Sequence, residues 1–232
     1  MMNQVTNTET SISDWKSLYK VGGVAALIML PIIPLQSFIF IAYPPPATVI
    51  DFFILFQKNW FVGLLDRDLL LIVDNVLLIL IYLALYAALV QANKFLMTIG
   101  LAFSLIGIAA YFPSNTAFEM LSLSHQYAAA TTEAQRATLL AAGQAMLAIY
   151  SGTAFNVYYV LNAIALLIFS AVMLRSSVFS KTTAYLGLAA GILMIIPSTA
   201  GMIGIYFSLL SLIPWFVWLI LFARRLFQLA RK

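Results

Sequence analysis

Asp74 and Asn75 sit side by side in an otherwise apolar run, Leu69 to Val90, and are the residues of this sequence best placed to do chemistry. A carboxylate inside a bilayer costs about 2.5 kcal/mol or more unless it faces protein or water. At the rise of an α-helix, Asp74 falls roughly 10 Å below the nearer end of its run. There it would bind a proton or a cation, anchor a ligand, or accept an interhelical hydrogen bond. Arg67, Leu71 and Asp74 share one helical face, so Arg67 could lean toward Asp74. Asp66-Arg67-Asp68 stands just ahead of the run. Carboxylates at a pore mouth attract cations. They also suit a helix N-terminus, which makes an interfacial helix start the simpler expectation.

Asn156 and Asn162 lie in a second apolar run with Tyr158 and Tyr159 between them. Six residues apart, the two amides face different directions; they line a cavity or bond neighbouring helices. His125 is the sole histidine and shares a polar stretch with Glu119 and Glu133. No HExxH spacing accompanies it, so no metal site is expected. Ser122 and Ser124 lie near His125, but the Gly-x-Ser-x-Gly elbow of a serine hydrolase is absent. The chain has no cysteine, which excludes disulfides, thiolate catalysis and Cys-based zinc or iron–sulfur sites. No catalytic residue and no cofactor is assigned.

The elements that must position these residues follow from composition. The chain has 232 residues, 63% hydrophobic and 9% charged, with a mean hydropathy of +1.00. A soluble domain carries about 25% charged residues, so the bilayer must be the solvent for most of this one. The expected fold is all-α, a bundle of six transmembrane helices. The spans are Tyr19–Tyr43, Leu69–Val90, Phe95–Phe112, Thr153–Leu174, Thr183–Ile203 and Phe207–Ala223. Residues 1–18 form a polar N-terminal segment and 19–232 a single integral-membrane domain. The prolines Pro31, Pro34, Pro197 and Pro214 fall inside spans, where each removes a backbone donor.

Two segments lie outside the spans. Ala47 to Leu65 carries Phe52, Phe53, Phe56 and Trp60, with Thr48, Asp51 and Lys58 on another face. It reads as an amphipathic helix lying at the membrane interface, with a short re-entrant segment as the alternative. About 114–151 is a helical insertion between spans three and four, in which Thr132 and Gln135 form a capping box.

Charge sets the orientation. With six spans and the N-terminus inside, nine basic residues fall on the inner side: Lys16, Lys20, Lys94, Arg175, Lys181, Arg224, Arg225, Arg231 and Lys232. Three fall outside: Lys58, Arg67 and Arg136. If Ala47 to Leu65 also spanned, the better orientation would give seven against five. The positive-inside rule therefore favours six spans, both termini cytoplasmic and the insertion extracytoplasmic. The net charge of +4 belongs to these inner ends and to anionic lipid rather than to nucleic acid. Gly187 and Gly191 form a GxxxG, which serves packing within the chain or, alternatively, a homo-oligomer.

Pro113-Ser114-Asn115, Thr132-Glu133-Ala134-Gln135-Arg136, Gly152-Thr153-Ala154-Phe155, Phe179-Ser180-Lys181-Thr182-Thr183-Ala184-Tyr185-Leu186-Gly187 and Ala223-Arg224-Arg225-Leu226-Phe227 form a recognisable set. With them, the stretch from Pro113 to Lys232 resembles a family of bacterial multi-pass membrane proteins, the domain-of-unknown-function family DUF4386. The resemblance implies a helical bundle in the bacterial cytoplasmic membrane and carries no activity.

Two functions fit these residues. One is a small-molecule or ion binding, transport-like module with an outward-facing polar cavity: Asp74, Asn75 and Asn156 at its floor, Arg67 and His125 at its rim. The other is a non-catalytic membrane protein that meets a partner through the outer loop. An intramembrane enzyme would need Asp74, Glu119 and His125 to converge.

Overall fold

In a computed structural model, the backbone is described from Met2 to Arg231 and the side chains from Trp15 to Arg231. Ten α-helices and no strand occur among the described residues. They are α1 (Met2–Ala42), α2 (Val49–Lys58), α3 (Trp60–Asp66), α4 (Leu69–Leu89), α5 (Lys94–Ser114), α6 (Ala117–Ala129), α7 (Glu133–Tyr150), α8 (Thr153–Leu174), α9 (Lys181–Leu193) and α10 (Gly201–Ala230). Polar residues set many of the boundaries. Thr48, Asn59, Asn93 and Ser180 cap α2, α3, α5 and α9 through their side-chain oxygens. The expected capping box is present: the Thr132 hydroxyl accepts from Gln135 N at 3.2 Å, and the Gln135 Oε1 accepts from Thr132 N at 3.3 Å.

Six helices close a ring. Each packs on the next in the order α4, α1, α10, α9, α8, α5 and back to α4. Its core is aromatic and aliphatic, built on Tyr82, Phe169, Trp218 and Phe222 with Ile81, Leu85 and Met97. Gly187 and Gly191 of α9 serve this interior. A Cβ on Gly187 would fall 2.2 Å from Ser170 Oγ, and one on Gly191 would fall 2.8 Å from Leu167. The GxxxG face is therefore occupied by α8 and α10.

Five segments are long and apolar enough to cross a membrane: Trp15–Ala42, Leu69–Leu89, Lys94–Ala129, Glu133–Leu174 and Gly201–Ala230. The expected fifth span, Thr183 to Ile203, is not one helix. The 13 residues of α9 cover about 20 Å, short of the roughly 30 Å of a hydrocarbon core. The chain leaves the helix at Met194, and Pro197 disfavours the α region at Ile196, the residue before it. It enters α10 only at Gly201, whose φ of +67° suits a residue without Cβ.

The remaining helices, α2, α3, α6 and α7, pack on one another as a cap. The segment expected to lie at the interface breaks at Asn59, which ends α2 and caps α3. The α2 aromatics Phe52, Phe53 and Phe56 are buried in a cluster with Leu64, Ala117 and Met120. While Phe52, Phe53 and Phe56 pack against α6, Ile50, Ile54, Trp60 and Phe61 keep another apolar face of α2 and α3 exposed. Gly143 lets α7 close on α2, since a Cβ there would meet Val49 at 2.4 Å.

The two ends of the ring differ in charge. Tyr19 donates to the Ala87 carbonyl at 3.4 Å, and Arg225 donates to the Val178 carbonyl. The end where these meet carries Lys16, Lys20, Lys94, Arg175, Lys181, Arg224, Arg225 and Arg231. The opposite end carries the cap, with Lys58, Arg67 and Arg136.

Candidate binding site beneath the cap

The junction of α3 and α4 is built by one residue in an unusual conformation. Asp68 has φ 60° and ψ 35°, the sole positive φ at a non-glycine position among the described residues. The left-handed region costs an L-residue about 1–2 kcal/mol, and aspartate is one of the few that visit it. The kink turns three consecutive charged side chains inward. Asp66, Arg67 and Asp68 are 4%, 3% and 6% exposed.

Asp68 gives α4 no side-chain cap. Its carboxylate is instead drawn between two other helices. Tyr150 at the end of α7 donates its hydroxyl to Asp68 Oδ2, and Gln36 of α1 donates to Oδ1 at 3.4 Å. The Asp68 carbonyl accepts from Leu71 N at 3.0 Å and from the Tyr111 hydroxyl at 3.4 Å. Asn115 completes the junction: its Nδ2 donates to the Arg67 carbonyl at 3.0 Å and to the Tyr111 hydroxyl at 2.9 Å.

Arg67 faces the cap. Its Nη2 donates to Thr116 Oγ1 at 2.7 Å. Its guanidinium lies 3.9 Å from the Tyr150 ring centroid and 5.2 Å from that of Phe52. A desolvated cation–π contact is worth about 2 kcal/mol. Among the described residues the ion pair present is Arg136–Glu133, so Arg67 is held by hydrogen bonds and aromatic faces rather than by a carboxylate in contact.

Two carboxyl groups here are perturbed. Burial, then the neighbouring Asp68, push the Asp66 carboxyl up to about 6. Burial pushes Asp68 up to about 6 as well, against the Tyr150 hydrogen bond and the Arg67 charge, which favour its ionised form. Neither Asp66 carboxyl oxygen has a hydrogen-bond partner.

A polar seam continues from this junction into the ring. The Tyr111 ring packs on that of Tyr158 at 4.9 Å. Asn75 Nδ2 donates to the Leu71 carbonyl at 2.9 Å and reaches the Tyr158 hydroxyl at 3.5 Å. Asn162 Nδ2 donates to the Tyr158 carbonyl at 2.9 Å. The oxygens Asp74 Oδ1, Asn75 Oδ1 and Asn162 Oδ1 are buried without a partner.

The expected site residues thus separate into groups. Asn75 joins Tyr158, with Asp74 beside it in α4 and half-buried. Arg67 is enclosed under the cap rather than standing at a rim. It does not share a helical face with Asp74, because the Asp68 kink ends α3 before α4 begins. Asn156 bonds the start of its own helix at Gly152 O, 2.9 Å, and accepts from Thr199 at 2.5 Å. His125 is exposed on α6, nine positions and about 13 Å along the helix from Thr116. Glu119 is also exposed, and neither residue bonds to Asp74.

Sequence reasoning did not single out Gln36, Tyr111, Asn115, Thr116 or Tyr150. Asn115 reads as turn chemistry after Pro113, and Tyr150 as the last residue of an amphipathic helix. A groove of about 260 Å³ opens elsewhere, between α1 and α4; it is lined by Val21, Val24, Ile28, Leu77 and Leu80, with Lys20.

No curated protein matches this chain, and no solved structure does. A family model does match, over residues 67–227, a stretch that holds Arg67, Asp68, Asn75, Tyr111, Tyr150 and Asn162. The chain therefore belongs to the family described as Domain of unknown function (DUF4386).

Proposed function

We propose that the protein is a multi-pass protein of the bacterial cytoplasmic membrane, with a binding or transport-like site beneath an extracytoplasmic cap. The basic end of the ring faces the cytoplasm, as the positive-inside rule requires. The sixth crossing is made by α9 together with Met194–Ala200. Thr199 bonded to Asn156, near the start of α8, supports that path. So does Met194 packed on the Tyr111–Phe155–Tyr158–Tyr159 cluster. Non-helical backbone at membrane depth is tolerated where protein or water covers it, and interrupted helices border the binding sites of many transporters.

The observation that carries the reading is the seam itself: Asp68, Tyr111, Tyr158 and Asn75 step inward from the cap, with Asp74 beside them. An ionisable residue at that depth points to a ligand by default. The test is a ligand panel, ions and small polar molecules, read by thermal shift on the full chain in nanodiscs. Wild type should gain stability with at least one ligand class, and Asp74→Leu should lose that gain while staying folded. If Asp74→Leu merely melted the bundle or changed nothing, the reading would fail. A partner captured through residues 114–151, unaffected by Asp74→Leu, would favour the partner-binding alternative instead.

A further inference from the structure

We infer that the groove between α1 and α4 holds one anionic phospholipid, with an acyl chain along its apolar walls and the headgroup phosphate against Lys20 and Lys16. The inference needs the ring to sit in a bilayer and is independent of the seam. Close packing shapes the groove. A Cβ on Gly22 would fall 2.4 Å from Ala84 Cβ and 3.4 Å from the Leu80 carbonyl oxygen, so the two helices nearly touch there. Beside that contact Ala25 is small and buried. Val21, Val24 and Ile28 of α1 stand exposed around it, across from Leu77 and Leu80 of α4. Lys20 to Ile28 covers about 12 Å of helix, so the groove runs from a charged end into hydrocarbon depth.

Spacing ties the charge to the groove. Lys16, Lys20, Val24 and Ile28 follow one another at four-residue intervals and share one face of α1. The two lysines therefore stand in line with the groove at its charged mouth, one helical turn apart, close enough to flank a single phosphate. No carboxylate with a described side chain offsets them at this end of the ring. Asp51, Asp66, Asp68, Asp74, Glu119 and Glu133 all belong to the cap or to the part of α4 nearest it.

The walls select the occupant. Helices that dock in a membrane present Gly, Ala, Ser or Thr so that backbones approach closely. Here the rims are Val, Ile and Leu, and the one small residue, Ala25, lies at the bottom. A flexible acyl chain follows such a channel, whereas a helix of a partner or of a second copy rides on the branched rims. A lysine near a bilayer surface strengthens the hold on an anionic headgroup about fivefold, which favours an anionic lipid over a zwitterionic one.

The test uses the full chain, delipidated in detergent and titrated with phosphatidylglycerol or phosphatidylcholine of identical acyl chains, with bound lipid counted by native mass spectrometry. One phosphatidylglycerol should be retained at concentrations where phosphatidylcholine is lost. Lys16→Gln and Lys20→Gln should each weaken it about fivefold, and Lys94→Gln, at the same end but on α5, should not. Val24→Phe, at an exposed position, should fill the groove and release the lipid at an unchanged Tm; if its Tm falls, Ile28→Phe decides. Equal retention of the two lipids overturns the site. So does phosphatidylglycerol that survives the double lysine variant or the groove-filling one, or that Lys94→Gln weakens as much. Excess glycerol phosphate should leave the lipid bound, and displacement by it would overturn the role of the acyl chain. Asp74→Leu should keep the lipid, so this site and the seam are judged separately.

Discussion

Tyr150 and Asp68, 82 positions apart, meet through a hydroxyl that donates to a buried carboxylate, and that bond fastens the cap to the bundle. The same tyrosine ring covers the Arg67 guanidinium. One side chain thus serves an anion with its edge and a cation with its face.

Tyr150→Phe separates the two roles. The ring remains over Arg67, while Asp68 Oδ2 loses its donor. An unsatisfied buried acceptor costs about 1–3 kcal/mol. The expected outcome is a Tm several degrees lower, with faster proteolysis at the α6–α7 turn, Ala130–Thr132. Tyr150→Ala should cost more, since the aromatic face goes too.

Asp68 is constrained by its backbone as well as its bonds. Asn tolerates a left-handed φ, and a β-branched residue does not. Asp68→Asn should fold with a modest loss. Asp68→Val should lose about 3 kcal/mol or more, from strain added to the lost hydrogen bonds. Chemical denaturation of the two variants in one detergent compares them directly.

The carboxyls of Asp66 and Asp68 titrate near 6 in the folded protein against an ordinary 3.8. The folded state holds these protons more tightly than the unfolded chain does. Their contribution to stability is therefore full below about 3.8 and is lost as pH rises through about 6. Tm should fall between pH 4 and pH 7, and Asp66→Asn should flatten that slope. A Tm that rises over the same range would contradict the burial of both groups.

Much of this was legible in the chain and some could not be. Five of the six apolar runs, the Thr132–Gln135 box and the basic end are local patterns, and each has its counterpart in the structure. Asp74 and Asn75 stood out because polarity in an apolar run needs no partner to be noticed. Arg67 was misplaced because a single left-handed residue at Asp68 breaks the helical face on which its direction was read. Tyr150 and Gln36 were invisible as site residues, since their roles exist only once α7 and α1 reach the same carboxylate. The fifth span is not one continuous helix for a similar reason: hydropathy runs on past Met194, while Pro197 and Gly201 act on the backbone.

Gly187→Ala tests the packing of the GxxxG face against α8 and α10. The added methyl would lie 2.2 Å from Ser170 Oγ and 2.9 Å from Trp218 Nε1. Overpacking of this kind costs about 1–3 kcal/mol. Gly201→Ala meets open space and loses only its favourable φ, so it should be the milder change. Melting both variants side by side ranks steric against conformational cost.

The ring has a consequence for assembly during synthesis. Its first helix, α1, is seated between α4 and α10, the last. A ribosome delivers α1 before the other nine described helices, and α10, one of the two it packs on most, last. Until then α1 has α4 on one side and lipid on the other. Ring closure thus waits for α10 and joins distant parts of the chain, and a chain cut short before α10 would leave α1 half-partnered, a ready substrate for membrane quality control.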